Sequence, residues 1–362
     1  MKTNNFIPQM EPWFDIEERR ALDAYMSQGG WVTEFRKTKE FETLIAEYTG
    51  AKHCIVVNNG TISLTLAAMA CGIEAGDEVI IPNYTMIATP NSIKMVGAKP
   101  VFVDVEPETL CLDIDAVKDA ISSKTKGIML VSANGRYPMS GISSFEKLCD
   151  ESNIVLIEDS AQSLGSTFKN KHTGTFFEMG CYSMYPAKVM TAGEGGFIVT
   201  NSKKLRDKLL MIRNHGMVKG YDTRILGLNL RLPEINAAIA KIQMKKLPKF
   251  LQARKKNAEL LTELLSKSNL SLPIQRKHEK VNWYLYTVTS PKRNTLLKKL
   301  NEKGVGAASY YPIPVHKTPF YKSKTKLPIT EWAASKVLSL PIHPKVTTKN
   351  IEFISKSIFE IL

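Results

Sequence analysis

The chain has 362 residues, of which 43% are hydrophobic and 23% charged, an ordinary globular balance with enough length for a large core or two unequal domains. That composition excludes intrinsic disorder and collagen-like repeats, and its longest nearly uncharged apolar stretches, such as Thr61 to Ile73, fall well short of the roughly 20 residues of a membrane helix. The net charge of +14 is concentrated, since Lys241 to Leu300 holds fifteen Lys or Arg against three Glu.

In chain order, the opening MKTNNFIPQMEPWFDIEERR has no apolar run before acidic residues appear, so neither a signal peptide nor an anchor is expected and the default location is cytoplasmic. From about residue 50 to 200, short Val- and Ile-rich runs alternate with helical stretches. The runs are CIVVN (54–58), EVIIP (78–82), KPVFVD (99–104), GIMLVS (127–132), NIVLIED (153–159), GCYSMY (180–185) and GGFIVT (195–200). Helices are expected at Thr61 to Cys71, Ala88 to Val96, Ile114 to Ile121 with Asp113 as its cap, and Ser144 to Glu151. Continuous apolar strands alternating with helices predict an α/β domain with a mostly parallel sheet sandwiched by helices, whose ligand lies beyond the carboxyl ends of the strands. After Asn201 come a helix at Lys203 to Arg213, a long helical stretch opened by Pro233, strands at WYLYTVT (283–289) and VGAASYY (305–311), and helices at Thr330 to Val337 and Lys349 to Ile361. These predict a smaller C-terminal α+β domain, giving units of 1–240 and 241–362. The basic segment reads as a solvated lysine face on a packed helix rather than a nucleic-acid groove. Five scattered cysteines without a C-x-x-C pair suit reduced thiols, and no metal site is expected.

Three features carry chemistry. IVLIEDSAQS is an apolar strand ending in Glu158 and Asp159, with Gln162 three residues on. YSMYPAKVMTAGEGG follows another strand and places Lys188 in a small-residue loop. In NNGTISLTLA a strand ends at Asn58 and Gly60-Thr61 opens a helix, whose free N–H groups and dipole favour a phosphate. Singly these are also a helix cap, a loop lysine and an ordinary turn. Together, an anion cradle, a buried acid and a lysine at strand ends are the parts needed to hold pyridoxal 5'-phosphate (PLP).

With those residues in place, the sequence resembles the PLP-dependent nucleotide-sugar aminotransferases of fold type I, the DegT/StrS group. The resemblance runs from GGWVTEFRKTKEFE through NNGTISLTLA, GDEVIIPNYTMIATPNSI, GAKPVFVDVEPET, IEDSAQSLGS, YSMYPAKVMTAGEGGFIVT, RNHG and LGLNLRLPEINAAIAKIQ to YYPIPVHKTPFY. It implies that Lys188 is the Schiff-base lysine, that Asp159 partners the pyridine nitrogen, and that Gln162 lies near the phenolic oxygen. It further implies that Tyr84 stacks on the ring, that Gly60, Thr61 and Ser183 contact the phosphate, and that Asn229 reaches the phosphate of a neighbouring subunit in a homodimer. Tyr311 and His316 in YYPIPVH, and Trp31 near the start, are implied as substrate residues. VSANGRYP departs from the group's V-H-L-Y-G-Q-P, with Ser132 and Asn134 in place of a histidine and an aromatic, and Arg136 in place of glutamine; Arg136 there either pairs with the sugar nucleotide's diphosphate or caps the fold. The implied activity is ping-pong transfer of an amino group, through the pyridoxamine form, from an amino acid such as L-glutamate to a nucleotide-linked keto-deoxysugar. A 4-keto-6-deoxyhexose is favoured over a 3-keto sugar because RNHG with YYPIPVHKTPFY looks more like members making 4-amino sugars, and the class rival is a non-enzymatic or nucleic-acid-binding protein using residues 241–300.

Overall fold

The computed structural model describes residues 6–29, 31–33 and 35–362; Gly30 and Glu34 of the first family-like motif lie outside them. Helices α1 (Ile16–Ser27) and α2 (Arg36–Thr49) precede strand β1 (His53–Val57) and helix α3 (Gly60–Ala70). Then come β2 (Glu78–Pro82), α4 (Ala88–Met95), β3 (Lys99–Val103), α5 (Ile114–Ala120), β4 (Thr125–Val131), α6 (Ile142–Ser152) and β5 (Val155–Asp159). Two short strands, β6 (Thr167–Phe168) and β7 (Lys171–His172), lead into β8 (Met179–Ser183), β9 (Gly196–Thr200) and α7 (Lys203–Arg213).

The seven apolar runs form one sheet in the order β1-β9-β8-β5-β4-β2-β3. Every neighbouring pair is parallel except those made by β9, which runs against both β1 and β8, so six strands deliver their carboxyl ends to one edge. Both faces are covered, which is why the runs are apolar without alternation. Helix α3 is apolar on nearly all sides and packs between the sheet, α4 and α7, as an all-round hydrophobic helix must. The expected cap of α5 forms, Asp113 accepting from the N–H groups of Asp115 (2.8 Å) and Ala116 (3.2 Å), which satisfies two of the helix's orphan donors.

Helix α8 (Glu234–Leu265) follows Pro233 and continues through Pro248. Its first half packs Ala237, Ala240, Met244 and Leu247 on the core beneath the main sheet, and its second half packs Ala258, Leu261 and Leu265 in the core of the smaller unit. One helix therefore runs across the expected boundary at residue 240. Beyond it lie β10 (Glu279–Lys280), β11 (Tyr286–Thr289), α9 (Arg293–Glu302), α10 (Pro328–Lys336), β12 (Val337–Leu340) and α11 (Thr348–Ile361).

Two strand expectations change here. WYLYTVT pairs only from Tyr286, because the preceding backbone is spent on docking: Trp283 is left-handed, and Arg254 donates to the carbonyls of Trp283 and Tyr284. VGAASYY is no strand but makes single bridges, Ile7 with Val305 and Ala308 with Ser339. Gly306 is required there, since a Cβ would lie 2.8 Å from the Ile7 carbonyl and the Gln9 nitrogen. The partner of β11 is VLSL (β12), of which the sequence assigns only Val337, as a helix end, and the two pair antiparallel.

The basic segment is less solvated than its composition implies. Lys246 pairs with Asp15 and Glu18, Lys241 with Glu40, and Arg276 with Glu279; Arg254 and Arg293 are buried and donate to backbone carbonyls. Lys255 and Lys256 do face solvent. Among the described residues, no helix is long and apolar enough to cross a membrane.

Candidate active site

The carboxyl edge of the sheet gathers the chemistry. β1 ends at Val57 and is followed by Asn58-Asn59, and Asn59 caps α3 by accepting from the Ile62 N–H at 2.9 Å, while its carbonyl takes the Ser63 N–H. The N–H groups of Gly60 and Thr61, ahead of the first intrahelical bond, have no partner among the described residues, so the helix start is open to an anion. Ser183, at the end of β8, stands against it: a Cβ on Gly60 would lie 2.7 Å from Ser183 Cβ. Gly60 is thus the residue that lets helix start and strand end touch.

Asp159 ends β5 and is 5% exposed. Its Oδ2 accepts from Thr89 Oγ1 (2.8 Å) and its Oδ1 from the Ala161 N–H (3.2 Å). Burial pushes the carboxyl above its ordinary range, while Thr89, the Ala161 N–H and the charge of Lys188 pull it back. Strand alternation turns the preceding Glu158 to the opposite face. There it accepts from Tyr137 Oη (2.6 Å) and the N–H groups of Gly174, Phe176 and Phe177, so of the two acids only Asp159 faces the crevice. Lys188, in the loop after β8, sets Nζ 4.9 Å from the centre of the Tyr284 ring.

Tyr84, 4% exposed, follows β2 and donates its hydroxyl to the Tyr310 carbonyl; its ring meets that of Tyr311 edge-on at 6.0 Å. The phenols of Tyr84 and Tyr311 are both raised, chiefly by burial. Gln162 is buried and accepts from the Asn134 N–H at 2.9 Å, and Asn282 Nδ2 donates to its carbonyl. Gly60, Thr61, Ser183, Asp159, Lys188 and Tyr84 thus all follow or end strands β1, β8, β5 and β2 at one edge of the sheet, with Gln162 three residues beyond β5 and Tyr311 against Tyr84.

Four residues lie differently. Arg136 is buried and donates Nη1 to the Ile274 carbonyl, tying the 134–136 turn to the smaller unit beside a cleft of about 340 Å³. The His316 ring is enclosed, Nδ1 lying 2.7 Å from Asn83 Oδ1 and Nε2 3.4 Å from Glu331. Trp31 is 81% exposed. Asn229 is exposed, next to Leu230, whose carbonyl accepts from the Asn58 N–H. The RNHG motif is explained by folding: Arg213 pairs with Glu42 at 2.6 Å and donates to the Val56 carbonyl, and a Cβ on Gly216 would collide with the Ile225 carbonyl.

Sequence reasoning passed over Thr89, Thr85 and Tyr284. The first two stand four apart in NYTMIAT, the helical spacing that places side chains together; for Tyr284 no local pattern gave a signal.

The chain matches the DegT/DnrJ/EryC1/StrS aminotransferase family over residues 14–359. It belongs to that family. It is a PLP-dependent aminotransferase, and the resemblance read from the motifs holds across the chain. It is 35% identical to a pleiotropic regulatory protein of Geobacillus stearothermophilus (96% of this chain, 98% of that protein) and 34% identical to the GDP-perosamine synthase of Vibrio cholerae (97% and 98%). It is also 34% identical to the UDP-2-acetamido-2-deoxy-3-oxo-D-glucuronate aminotransferase of Pseudomonas aeruginosa (87% and 88%). The fold superposes on DesV of S. venezuelae with a TM-score of 0.92 at 29% identity, covering 98% of each chain. The family's fold type, with a seven-stranded mostly parallel mixed sheet, is the one described above.

The residues present fit PLP. The Gly60 cradle, which a Cβ would fill, offers free N–H groups for a phosphate, and Asp159 is a buried carboxylate with one hydroxyl, one N–H and a nearby lysine to stabilise its charge.

Proposed function

We infer that this protein moves an amino group from an amino-acid donor, L-glutamate, to the ketone of a nucleotide-linked deoxysugar. The observation that carries the reading is a buried, hydrogen-bonded Asp159 at the carboxyl end of β5, with the charge of Lys188 near enough to favour its ionised form. In its family this combination belongs to transamination, whereas a related dehydratase subgroup resembled by the same motifs has histidine in place of the lysine.

PLP, when bound, withdraws electrons from the carbon that carries the amine. Asp159 would hold a proton on the cofactor's pyridine nitrogen. The N–H groups of Gly60 and Thr61, with Ser183, would hold the phosphate, Tyr84 would pack on the ring and Gln162 would serve the phenolic oxygen. Lys188 Nζ would anchor the cofactor, and as a free amine it would serve as the general base that takes and returns the proton at the donor carbon. Tyr311, Trp31, His316 and Arg136 are the chain's candidates for the sugar-nucleotide side, His316 and Arg136 acting by holding the walls in place. Asn229 serves the phosphate site of a second copy in a homodimer, and the protein works in the cytoplasm.

Of the possible acceptors we favour a 4-keto-6-deoxyhexose, because RNHG together with YYPIPVHKTPFY looks more like members making 4-amino sugars. A 3-keto acceptor is the second reading, supported by equal identity to the 3-oxo-sugar aminotransferase. A panel of UDP-, GDP- and dTDP-linked keto sugars with glutamate, its products identified by mass and NMR, separates the two. Lys188→Ala is expected to abolish turnover. Multiple turnover by that variant above the free-PLP background would overturn the assignment of Lys188.

A further inference from the structure

The turn that carries Tyr84 also carries two threonines. Thr85 Oγ1 lies 2.8 Å from Thr89 Oγ1, and Thr89 Oγ1 lies 2.8 Å from Asp159 Oδ2; Thr85 is 3% exposed and Thr89 not at all. A hydroxyl has one proton, and an ionised carboxylate only accepts. Thr89 must therefore donate to Asp159, which leaves its oxygen to accept from Thr85. The chain of donors is polarised in one direction, and successive hydrogen bonds of that kind strengthen one another. Thr89 also stands in the first turn of α4, so the helix start adds a favourable dipole at the carboxylate.

We propose that Thr85 and Thr89 are positioning residues, a two-hydroxyl relay that keeps the Asp159 carboxylate ionised and aimed at the pyridine nitrogen of PLP. The inference rests on the reading of Asp159 as the partner of that nitrogen. The need for such a device follows from the surroundings. The charged or titratable groups whose fields reach Asp159 are Lys188 from the loop after β8, Cys181 from β8 and Tyr311 from the smaller unit. Only Lys188 favours the ionised acid, and its nitrogen is committed to the reaction. Burial without the relay would leave Asp159 to share its proton with the ring nitrogen instead of placing that proton there.

The test uses the holoenzyme and two readouts besides activity: the equilibrium constant for PLP dissociation, and the protonation state of the ring nitrogen by NMR of nitrogen-labelled PLP. A hydrogen bond to a charged group corresponds to about a 10- to 100-fold change. Thr89→Val, nearly isosteric, is expected to weaken PLP binding by about that factor and to shift the ring-nitrogen signal toward the unprotonated form. Thr89→Ser restores both, and Thr85→Val gives a smaller change in the same direction. If Thr89→Val does not fold, the pair Thr85→Val and Thr89→Ser carries the comparison. Asp159→Asn is run beside them. Loss of the ring proton in Asp159→Asn, with binding and protonation unchanged in Thr89→Val, overturns the relay alone; a ring nitrogen still protonated in Asp159→Asn overturns the reading of Asp159 and the relay with it.

Discussion

His172 shows how far a single buried ring can govern stability. Its Nε2 accepts from the Gly165 N–H at 3.0 Å, and Nδ1 donates to the Thr173 carbonyl at 2.7 Å, so the neutral form is fixed and a second proton would face a donor. Burial lowers its pKa from 6.5 to about 4. A histidine depressed in the folded state is charged first in the unfolded chain, so its contribution is complete above pH 6.5 and is lost as the pH falls toward 4. A shift of this size corresponds to about 3 kcal/mol. His343, also lowered to about 4 by burial, adds to the same acid limb. Urea denaturation of the wild type is expected to lose stability steeply between pH 6.5 and 4, and His172→Gln, less stable at pH 7, to lose less over that interval. Equal slopes for both proteins would assign the acid limb elsewhere. Asp159 and Lys188 were legible at this scale because each follows an apolar run, and a strand end is where a polar side chain has reason to be. Thr89 was not, since a threonine in a helix's first turn reads equally well as a cap, and only the approach of β5 makes it a carboxylate donor.

At the scale of elements, the contact between the start of α3 and the end of β8 leaves no room for a side chain at residue 60. Gly60 meets Ser183 through Cβ at 2.7 Å and Cα at 3.2 Å, and the backbone atom has no rotamer with which to withdraw. Gly60→Ala is therefore expected to cost about 1–3 kcal/mol by overpacking, and to weaken PLP binding because the N–H groups of residues 60 and 61 turn away from the phosphate. Chemical denaturation and cofactor titration measure the two effects. A variant with native stability and native affinity would mean the cradle is looser than its geometry. The seven strands of the main sheet were readable because burial on both faces leaves a continuous apolar signal. β12 was not, because VLSL follows a helix without a break and becomes a strand only when β11 offers its edge.

For the whole molecule, the segment between α7 and α8 leaves Val218, Tyr221, Leu226 and Leu228 exposed, Tyr221 by 98% and Leu226 by 79%, beside the exposed Asn229. Four exposed apolar side chains in one short segment suit an interaction surface, and their place in the chain beside Asn229 fits the proposed homodimer. Mixing inactive Lys188→Ala subunits with a severely impaired Asn229→Ala variant is expected to restore some activity, because a heterodimer contains one site with both residues intact. Leu226→Glu is expected to shift the protein toward monomer in sedimentation and to lower activity with it. Full activity in a monomer would refute the shared site. The excess of lysine and arginine in residues 241–300 belongs to this scale too. Lys241 and Lys246 pair with carboxylates of the N-terminal helices, Arg276 pairs with the nearby Glu279 and donates to the Tyr137 carbonyl, and Arg254 and Arg293 fasten carbonyls of the smaller unit, so part of the charge joins segments of the molecule.

By itself the sequence determined the α/β class, the mostly parallel sheet and the helices around it, because apolar periodicity is a local signal, and it named strand-end residues as the candidates for chemistry. Tertiary structure decided the rest. Which of two adjacent acids enters the crevice follows from the pleat of β5 within the sheet. That Thr89 serves Asp159 and Tyr284 lies against Lys188 depends on segments 70 and 96 residues apart meeting, as does the enclosure of His316 by Asn83 and Glu331. Contacts of that range leave no periodic trace along the chain, since each residue's type is compatible with several surroundings until the fold supplies one.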